Sequence, residues 1–207
     1  MSCKKILLPF LFLIVLSAVS FANGGSSKGF RGGLLFSKYG GDDDNKAQSF
    51  VGFHVGGFFD LSMSKGWYFE PGIGIALKGS KLEYTKFFDI PTNGTLTNRS
   101  LYLDIPLLLR YDYYMKLRGL GIFAGPQFSL LLSNKTKFIL NGENQTDNTF
   151  EKISKSDISL IAGLSFRFKN DLFIRASYEM GFINLDPDSN HDLYNRSFRF
   201  TVGYNIQ

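Results

Sequence analysis

The sequence predicts an all-β protein, an eight-stranded antiparallel up-and-down β-barrel that crosses a membrane. Apolar and polar residues alternate with a period of two, most strand-like segments are about 10–14 residues long, and the polar connections are alternately short and long. A transmembrane strand needs about 9–11 residues, whereas soluble strands centre on about 5–6. Short turns at one end and longer loops at the other are typical of outer-membrane barrels.

The first 22 residues have the features of a cleaved signal peptide. Lys4 and Lys5 precede the apolar run 6–19, and the small residue Ala22 fits cleavage before Asn23. The run is shorter than the ~20 residues that a spanning helix needs, and no later stretch reaches that length. We therefore expect residues 1–22 to be removed during export.

Residues 23–207 are expected to form one barrel domain, since the chain has only 207 residues. The single cysteine, Cys3, lies in the predicted signal peptide, which excludes disulfides, thiolate metal sites and a cysteine nucleophile in the mature chain. The net charge of +5 is mild and dispersed, which argues against nucleic acid as a partner.

Eight strands follow one another along the mature chain. The predicted strands are 30–37, 50–61, 67–79, 100–111, 120–133, 157–168, 172–181 and 196–206. Short connections at 62–66, 112–119 and 169–171 alternate with long polar ones at 38–49, 80–99, 134–156 and 182–195. With an even strand number, both termini are expected to be periplasmic and the long loops extracellular, in the bacterial outer membrane.

Nearly all of the charged residues within the strands fall on one phase of the alternation. In the segment 100–111, for example, Asp104 and Arg110 lie on the phase opposite to Leu101, Leu103 and Leu109. The residues assigned to the lumen phase are Arg31, His54, Asp60, Glu70, Lys78, Asp104, Arg110, Arg167, Arg175, Glu179 and Arg199. The other phase stays apolar because Arg or Lys facing lipid at mid-membrane costs ~2–4 kcal/mol.

The lumen residues are expected to form a structural polar network. The interior of an eight-stranded barrel is only wide enough for side chains to fill it. Charges in that space must pair, because an unpaired buried charge is very costly. The alternative is a narrow path for ions or small solutes. Alternation alone also permits a soluble, secreted ligand-binding barrel with its charges in water, but the signal peptide, strand lengths and loop lengths favour the membrane.

Two further sequence patterns, the aromatic residues near strand ends and the prolines inside strands, predict features of the barrel wall. Aromatic residues near strand ends suit the membrane–water interface. These are Trp67, Tyr68, Phe69, Tyr111, Tyr113 and Tyr114. Pro71, Pro106 and Pro126 fall inside strands, where each removes one ladder hydrogen bond. We expect β-bulges at the prolines, or a position near the rim for Pro71.

No enzymatic, metal or cofactor site is predicted. His54 falls on the lumen phase and is expected to join the polar network. His191 lies in a polar loop beside Asp188 and Asp192, where such neighbours arise by chance. The acidic run 42–44 has the composition of a solvated loop tip. We therefore expect a structural or interaction protein, with a small channel as the alternative.

Several strings resemble the PorT-like outer-membrane β-barrel domains of Bacteroidetes. They are LYLDIPLLLRY at 101–111, FEPGIGIALKGSK at 69–81, AGPQFSLLL at 124–132 and IAGLSFRF at 161–168. The resemblance implies an eight-stranded outer-membrane barrel and an accessory role in protein secretion. The alternation Val202, Tyr204, Ile206 resembles a C-terminal assembly signal, although the chain ends one residue later on Gln207. Expected partners are outer-membrane lipid and lipopolysaccharide, the barrel-assembly machinery, and secretion or envelope proteins.

Overall fold

A computed structural model describes residues 26–41, 47–87, 90–115, 118–140, 143–147, 154–185 and 193–206. The predicted signal peptide, 1–22, lies outside these ranges, so its cleavage stays a prediction. Across the described ranges, no helix has both the length and the hydropathy to cross a membrane.

The described part of the chain forms strands joined by turns. The strands are β1 Ser27–Gly41, β2 Ala47–Ser64, β3 Trp67–Phe87, β4 Ile90–Met115, β5 Arg118–Leu140, β6 Glu143–Asp147, β7 Ser156–Arg167, β8 Leu172–Gly181 and β9 Leu193–Ile206. Eight of them close into an antiparallel ring in the order β1-β2-β3-β4-β5-β7-β8-β9, with β9 pairing back onto β1. The short β6 pairs with the end of β5, outside this ring. The predicted eight-stranded barrel is confirmed.

Side chains alternate between the two faces of the barrel wall. In β9, Phe198, Phe200 and Val202 are more than half exposed, whereas Arg199 and Thr201 are buried. The same pattern runs round the ring, so the apolar phase faces outward and the charged phase faces inward. A soluble barrel requires the reverse, and that alternative is therefore wrong.

The two ends of the barrel differ. Lys28 pairs with Ile206, so both termini lie at one end, which we call the terminus end. This end also carries the tight turns from β2 to β3 and from β7 to β8, where Gly66 and Asp171 adopt positive φ values of 79° and 62°. The opposite end, called the loop end, carries the outer parts of β3, β4 and β5.

Three of the predicted long loops are largely strand, including 38–49, where β1 runs to Gly41 and β2 begins at Ala47. Residues 80–99 continue the ladder of β3 and β4, with pairs such as Lys81–Thr97, and β5 runs on to Leu140 before β6 begins. The prediction of loops at 80–99, and in much of 38–49 and 134–156, is wrong because it took a polar stretch as the end of each strand. Backbone pairing continues into water, where both faces can be polar. The predicted connection 112–119 is also shorter, since β4 reaches Met115.

The in-strand prolines do not coincide with bulges. Pro71 pairs with Leu107, and the register is unchanged at the next described pair, Gly74–Asp104. The register shifts instead between Ser49 and His54, Ser62 and Ser64, Tyr84 and Lys86, and Leu101 and Tyr102. The expected bulges at Pro106 and Pro126 are therefore wrong. Pro71 has no bulge either, but as the fifth residue of β3 it lies near the terminus end, which was the alternative expectation for it. A proline removes one donor without requiring an inserted residue, so the ladder skips contacts and keeps its register.

Most of the predicted aromatic girdle lies where the alternation places it. Trp67 is exposed and stacks on Tyr111 at a centroid distance of 5.0 Å, and Tyr113 is also exposed. Tyr68 is the exception, because residue 68 has the opposite phase to its neighbours. Its ring lies 4.7 Å from the guanidinium carbon of Arg110. The side chain of Tyr114 lies outside the described residues.

Candidate functional site

The barrel interior is the candidate site, because its wall brings distant charged residues together. Ten of the eleven predicted lumen residues form ion pairs there, in two networks. The Glu70 network, toward the terminus end, contains Arg31, Asp60, Glu70, Arg110, Asp112, Arg167 and Arg175. The Glu179 network, toward the loop end, contains Lys78, Asp104, Glu179 and Arg199. The eleventh residue, His54, pairs with a hydroxyl instead.

Glu70 is the centre of its network. Its carboxylate is fully buried and accepts two parallel hydrogen bonds from Arg175, at 2.7 Å and 2.6 Å. Arg110 donates to Oε2 at 2.6 Å, and Arg31 donates to Oε1. Bidentate pairing with a guanidinium is among the strongest charge-assisted arrangements in proteins. The carboxylate of Glu70, on β3, therefore binds arginines from three other strands, β1, β4 and β8.

Aromatic rings enclose the guanidinium of Arg175. Its carbon lies 4.4 Å from the ring centroid of Phe173, 4.9 Å from that of Phe123 and 5.9 Å from that of Phe58. All three rings are on the inward phase and buried. Cation–π attraction is strongest for a desolvated cation, so the rings hold Arg175 toward Glu70.

The Glu70 network extends to two aspartates at the terminus end. Arg110 donates to Asp60 at 2.8 Å and to Asp112 at 2.9 Å, so this side chain joins three carboxylates. Arg167 also donates to Asp60, at 3.1 Å. With four arginines and three acids, this network carries one excess positive charge.

Glu179 is the centre of the second network. Its Oε1 accepts hydrogen bonds from Lys78 at 2.6 Å, Gln127 at 2.9 Å and Ser159 at 3.0 Å. Its Oε2 accepts from Ser197 at 2.9 Å and from Arg199. Such full hydrogen bonding is what a buried carboxylate requires.

Asp104 completes the Glu179 network from the β4 wall. It accepts from Arg199 at 3.0 Å and from the hydroxyl of Ser129 at 2.7 Å, and it lies 3.5 Å from the ammonium of Lys78. Two cations and two carboxylates make this network neutral.

His54 is placed by a glycine on the neighbouring strand. Its Nε2 lies 3.0 Å from Oγ1 of Thr201, although β1 separates their strands. Gly33 is the β1 residue that pairs with both of them. Because Gly33 has no side chain, the imidazole and the hydroxyl meet above it.

Sequence reasoning missed several interior residues. Asp112 and Asp157 are buried on the inward phase, and Asp157 accepts a hydrogen bond from Asn195 at 2.8 Å. Asp112 lay just beyond the predicted end of its strand, and extending the alternation by one step would have found it. Gln127 and Ser129 carry no charge, so the alternation of charged residues does not identify them.

Little open space remains between the networks. A cavity of about 30 Å³ is bordered by Arg31, His54, Leu108, Phe123 and Gln127 among others, and has room for about two water molecules. A larger cavity of about 320 Å³ lies at the terminus end. Its lining residues are Ser26, Ser27, Asp60, Tyr68, Arg167, Asp171 and Asn205.

The paired charges brace opposite sides of the barrel against each other. In the described ranges, no group of three or more His, Cys, Asp or Glu side chains is arranged to hold a metal ion. His191 and the acidic run 42–44 lie outside the described residues.

Comparisons with known proteins agree with this architecture. A family model described as outer membrane protein beta-barrel domain matches residues 21–186. A comparison with curated proteins finds no significant match. Among solved structures, the chain is similar to Ail, the attachment invasion locus protein of Yersinia pestis, to Neisserial surface protein A and to the outer membrane enzyme PagL. The identities are 17%, 14% and 10%, the TM-scores are 0.40, 0.43 and 0.48, and each match covers 88% of this chain and 100% of the other. At such identities the likeness concerns the fold alone.

Proposed function

This chain belongs to the outer membrane protein beta-barrel domain family, and we propose that it is an integral outer-membrane scaffold that displays the loop end of its barrel to envelope partners. The observation that carries the proposal is the closed interior. The ion pairs Glu70–Arg175 and Lys78–Glu179 both join β3 to β8, and Asp104–Arg199 joins β4 to β9. These strands are four places apart in a ring of eight, so each bond spans the lumen.

The proposed orientation places the terminus end in the periplasm and the loop end outside the cell. Outer-membrane barrels have short periplasmic turns and longer extracellular segments. Here β3, β4 and β5 run past the rest of the barrel at the loop end, and β6 adds a further strand. This projecting sheet is the largest surface available for contact with secretion or envelope proteins. An accessory role in secretion of the PorT type is one form of this proposal.

Orientation can be tested by cysteine labelling, because the only native cysteine lies in the predicted signal peptide. We expect a membrane-impermeant maleimide to label Lys155→Cys, at the loop end, in intact cells. Lys65→Cys, on the turn between β2 and β3, should react only after the outer membrane is permeabilised. The reverse pattern would refute the orientation.

Closure of the lumen is tested by conductance. In planar bilayers the purified barrel should give no steady current, because two networks of paired charges fill the path. Steady open-channel currents would refute the scaffold proposal and support the small-channel alternative. The variant Glu70→Ala/Arg175→Ala removes one cross-lumen bond and provides the comparison, since it should leak more than the native barrel.

A non-enzymatic role is part of the proposal. The histidine within the described residues, His54, bonds to Thr201 inside the wall. Purified protein should therefore not hydrolyse or transfer acyl chains of lipid substrates. Such an activity, if lost in His191→Ala, would contradict this part of the proposal.

A further inference from the structure

Four cations meet on the outer wall at the loop end. Arg99 of β4 is directly opposite Lys135 of β5. In the adjacent row, Lys81 of β3 and Lys137 of β5 both pair with Thr97 of β4. We call Lys81, Arg99, Lys135 and Lys137 the basic patch.

The spacing of these residues makes the patch electrostatically unfavourable by itself. Side chains directly opposite in an antiparallel pair have Cβ atoms ~4.5–5.5 Å apart, and diagonal neighbours are ~7–8 Å apart. Arg99 therefore has one cation beside it and two, Lys81 and Lys137, on its diagonals. Like charges directly opposite destabilise a sheet. None of the four pairs with a carboxylate among the side chains that the structure describes.

The centre of the patch is ordered by an aromatic ring. Arg99 is exposed, yet its guanidinium carbon lies 5.7 Å from the centroid of Phe50, which is only 6% exposed. Thr97, between the two lysines of the adjacent row, is also buried. The cations therefore stand on a packed part of the wall, which lowers the entropy lost when a ligand binds.

The patch adjoins the apolar band of the barrel. Leu101 follows Arg99 on the same outward phase, and it pairs with Ser133, two residues before Lys135. Leu130 and Leu132 are 42% and 55% exposed beside it. The four charges thus lie where the lipid-facing surface ends, at the level of the headgroups.

We infer that the basic patch binds a phosphate group of a lipid in the surrounding leaflet, with the acyl chains along Leu101, Leu130 and Leu132. A phosphate neutralises the like charges, and Arg99 can offer it the two parallel donors that suit phosphate geometry. A lipid can bind the basic patch with its phosphate and cover the adjacent leucines with its acyl chains, whereas a free anion can only neutralise the charges. The identity of this lipid as lipopolysaccharide rests on the proposed function, which places the loop end outside.

The inference can be tested by native mass spectrometry of the full barrel in detergent micelles with bisphosphorylated lipid A. The native protein should retain one lipid A more tightly than additional ones. The variant Arg99→Gln/Lys135→Gln should bind about 30-fold more weakly, since each basic residue near an anionic surface contributes about fivefold. The matched control is Lys65→Gln/Lys169→Gln, which removes two exposed lysines from separate turns at the terminus end and should bind like the native protein.

Two further arms identify the source of the phosphate. Enzymatically dephosphorylated lipid A should bind the native protein as weakly as lipid A binds the patch variant. Millimolar inorganic phosphate alone should not displace lipid A. Equal binding by the native protein and the patch variant would overturn the inference, as would full displacement by inorganic phosphate. A shift in gel mobility on heating confirms that each variant is folded.

The inference and the proposed orientation fail in different experiments. Periplasmic labelling of Lys155→Cys would refute the orientation and lipopolysaccharide as the lipid, while tight binding of phosphorylated lipid would still support the patch. Loss of discrimination between native and patch variant would overturn the patch and leave the orientation intact.

Discussion

Arg175 and Glu70 face each other across the full width of the barrel and are joined by two parallel hydrogen bonds of 2.7 Å and 2.6 Å. Their strands, β8 and β3, are four places apart in the ring of eight. Neither residue is near the other in sequence, being separated by 105 positions. The pair forms only once the ring has closed, so it stabilises the closed barrel rather than any single hairpin.

Replacement of Glu70 by glutamine should be strongly destabilising. Arg31, Arg110 and Arg175 would then share a neutral amide in a buried site, and three like charges would lie together. Removing one partner of a buried ion pair costs roughly 3–5 kcal/mol. The free energy of unfolding, from urea titration of the barrel in a bilayer, should fall by that amount.

The control for this prediction is Lys65→Gln, which also changes the charge by one unit but lies on an exposed turn. It should change the free energy of unfolding by less than about 0.5 kcal/mol. If Glu70→Gln were equally mild, the Glu70 network would not be holding the barrel closed.

The Glu179 network should show strong coupling between its members. Glu179→Gln leaves Lys78 and Arg199 with Asp104 alone, and Lys78→Met leaves two carboxylates with Arg199. The double variant restores neutrality. We therefore expect it to lose less stability than the sum of the two single variants, by about 0.5–3 kcal/mol. Additive losses would show that the charges are screened by water rather than paired.

The outline of the fold is readable from the sequence because a membrane barrel imposes two constraints at once. Each strand must be long enough to cross the membrane, and its lipid-facing phase must be apolar. Residues 101–111 satisfy both, and so the alternation alone is enough to place Asp104 and Arg110 inside. The ends of β3, β4 and β5 could not be predicted from the sequence, because beyond the membrane the side-chain pattern does not show where backbone pairing stops.

The interior illustrates a second limit of sequence reasoning. Alternation shows that Glu70 and Arg175 point inward, but the choice of partner depends on register and on ring position. The residues of β3 and β8 themselves do not indicate that these two strands lie opposite each other in the ring. Neutral members such as Gln127 have no charge to identify them, although their hydrogen bonds complete the network.

Gly33 should tolerate no side chain. A Cβ at this position would press against the carbonyl oxygen of Phe200 on the neighbouring strand and occupy the space between His54 and Thr201. Gly33→Ala should therefore lower the free energy of unfolding by about 1–3 kcal/mol, as overpacking typically does.

Gly57 provides the control, because the atom nearest to a Cβ added there would be a carbonyl oxygen at 3.6 Å, an ordinary contact. Gly57→Ala should leave stability unchanged or raise it by about 0.4–1 kcal/mol. Equal effects of the two substitutions would contradict this account of the wall.

A charged side chain introduced on the outward face should lower the free energy of unfolding more, the deeper its position in the membrane. Phe200 is 54% exposed and lies between Leu34 and Ala176 in adjacent strands, within the apolar band. Phe200→Arg should cost about 2–4 kcal/mol, because the guanidinium must enter hydrocarbon. Ser133 is also exposed on the outer wall, but it lies at the loop end beside the basic patch. Ser133→Arg should cost only about 0–1 kcal/mol, the value typical of interfacial positions. Unfolding titrations in bilayers of one lipid composition compare the two directly. Similar costs at both positions would mean that the apolar band does not end between Leu101 and Arg99. The basic patch would then not lie at the depth of the lipid headgroups, and the lipid-binding inference would lose its support.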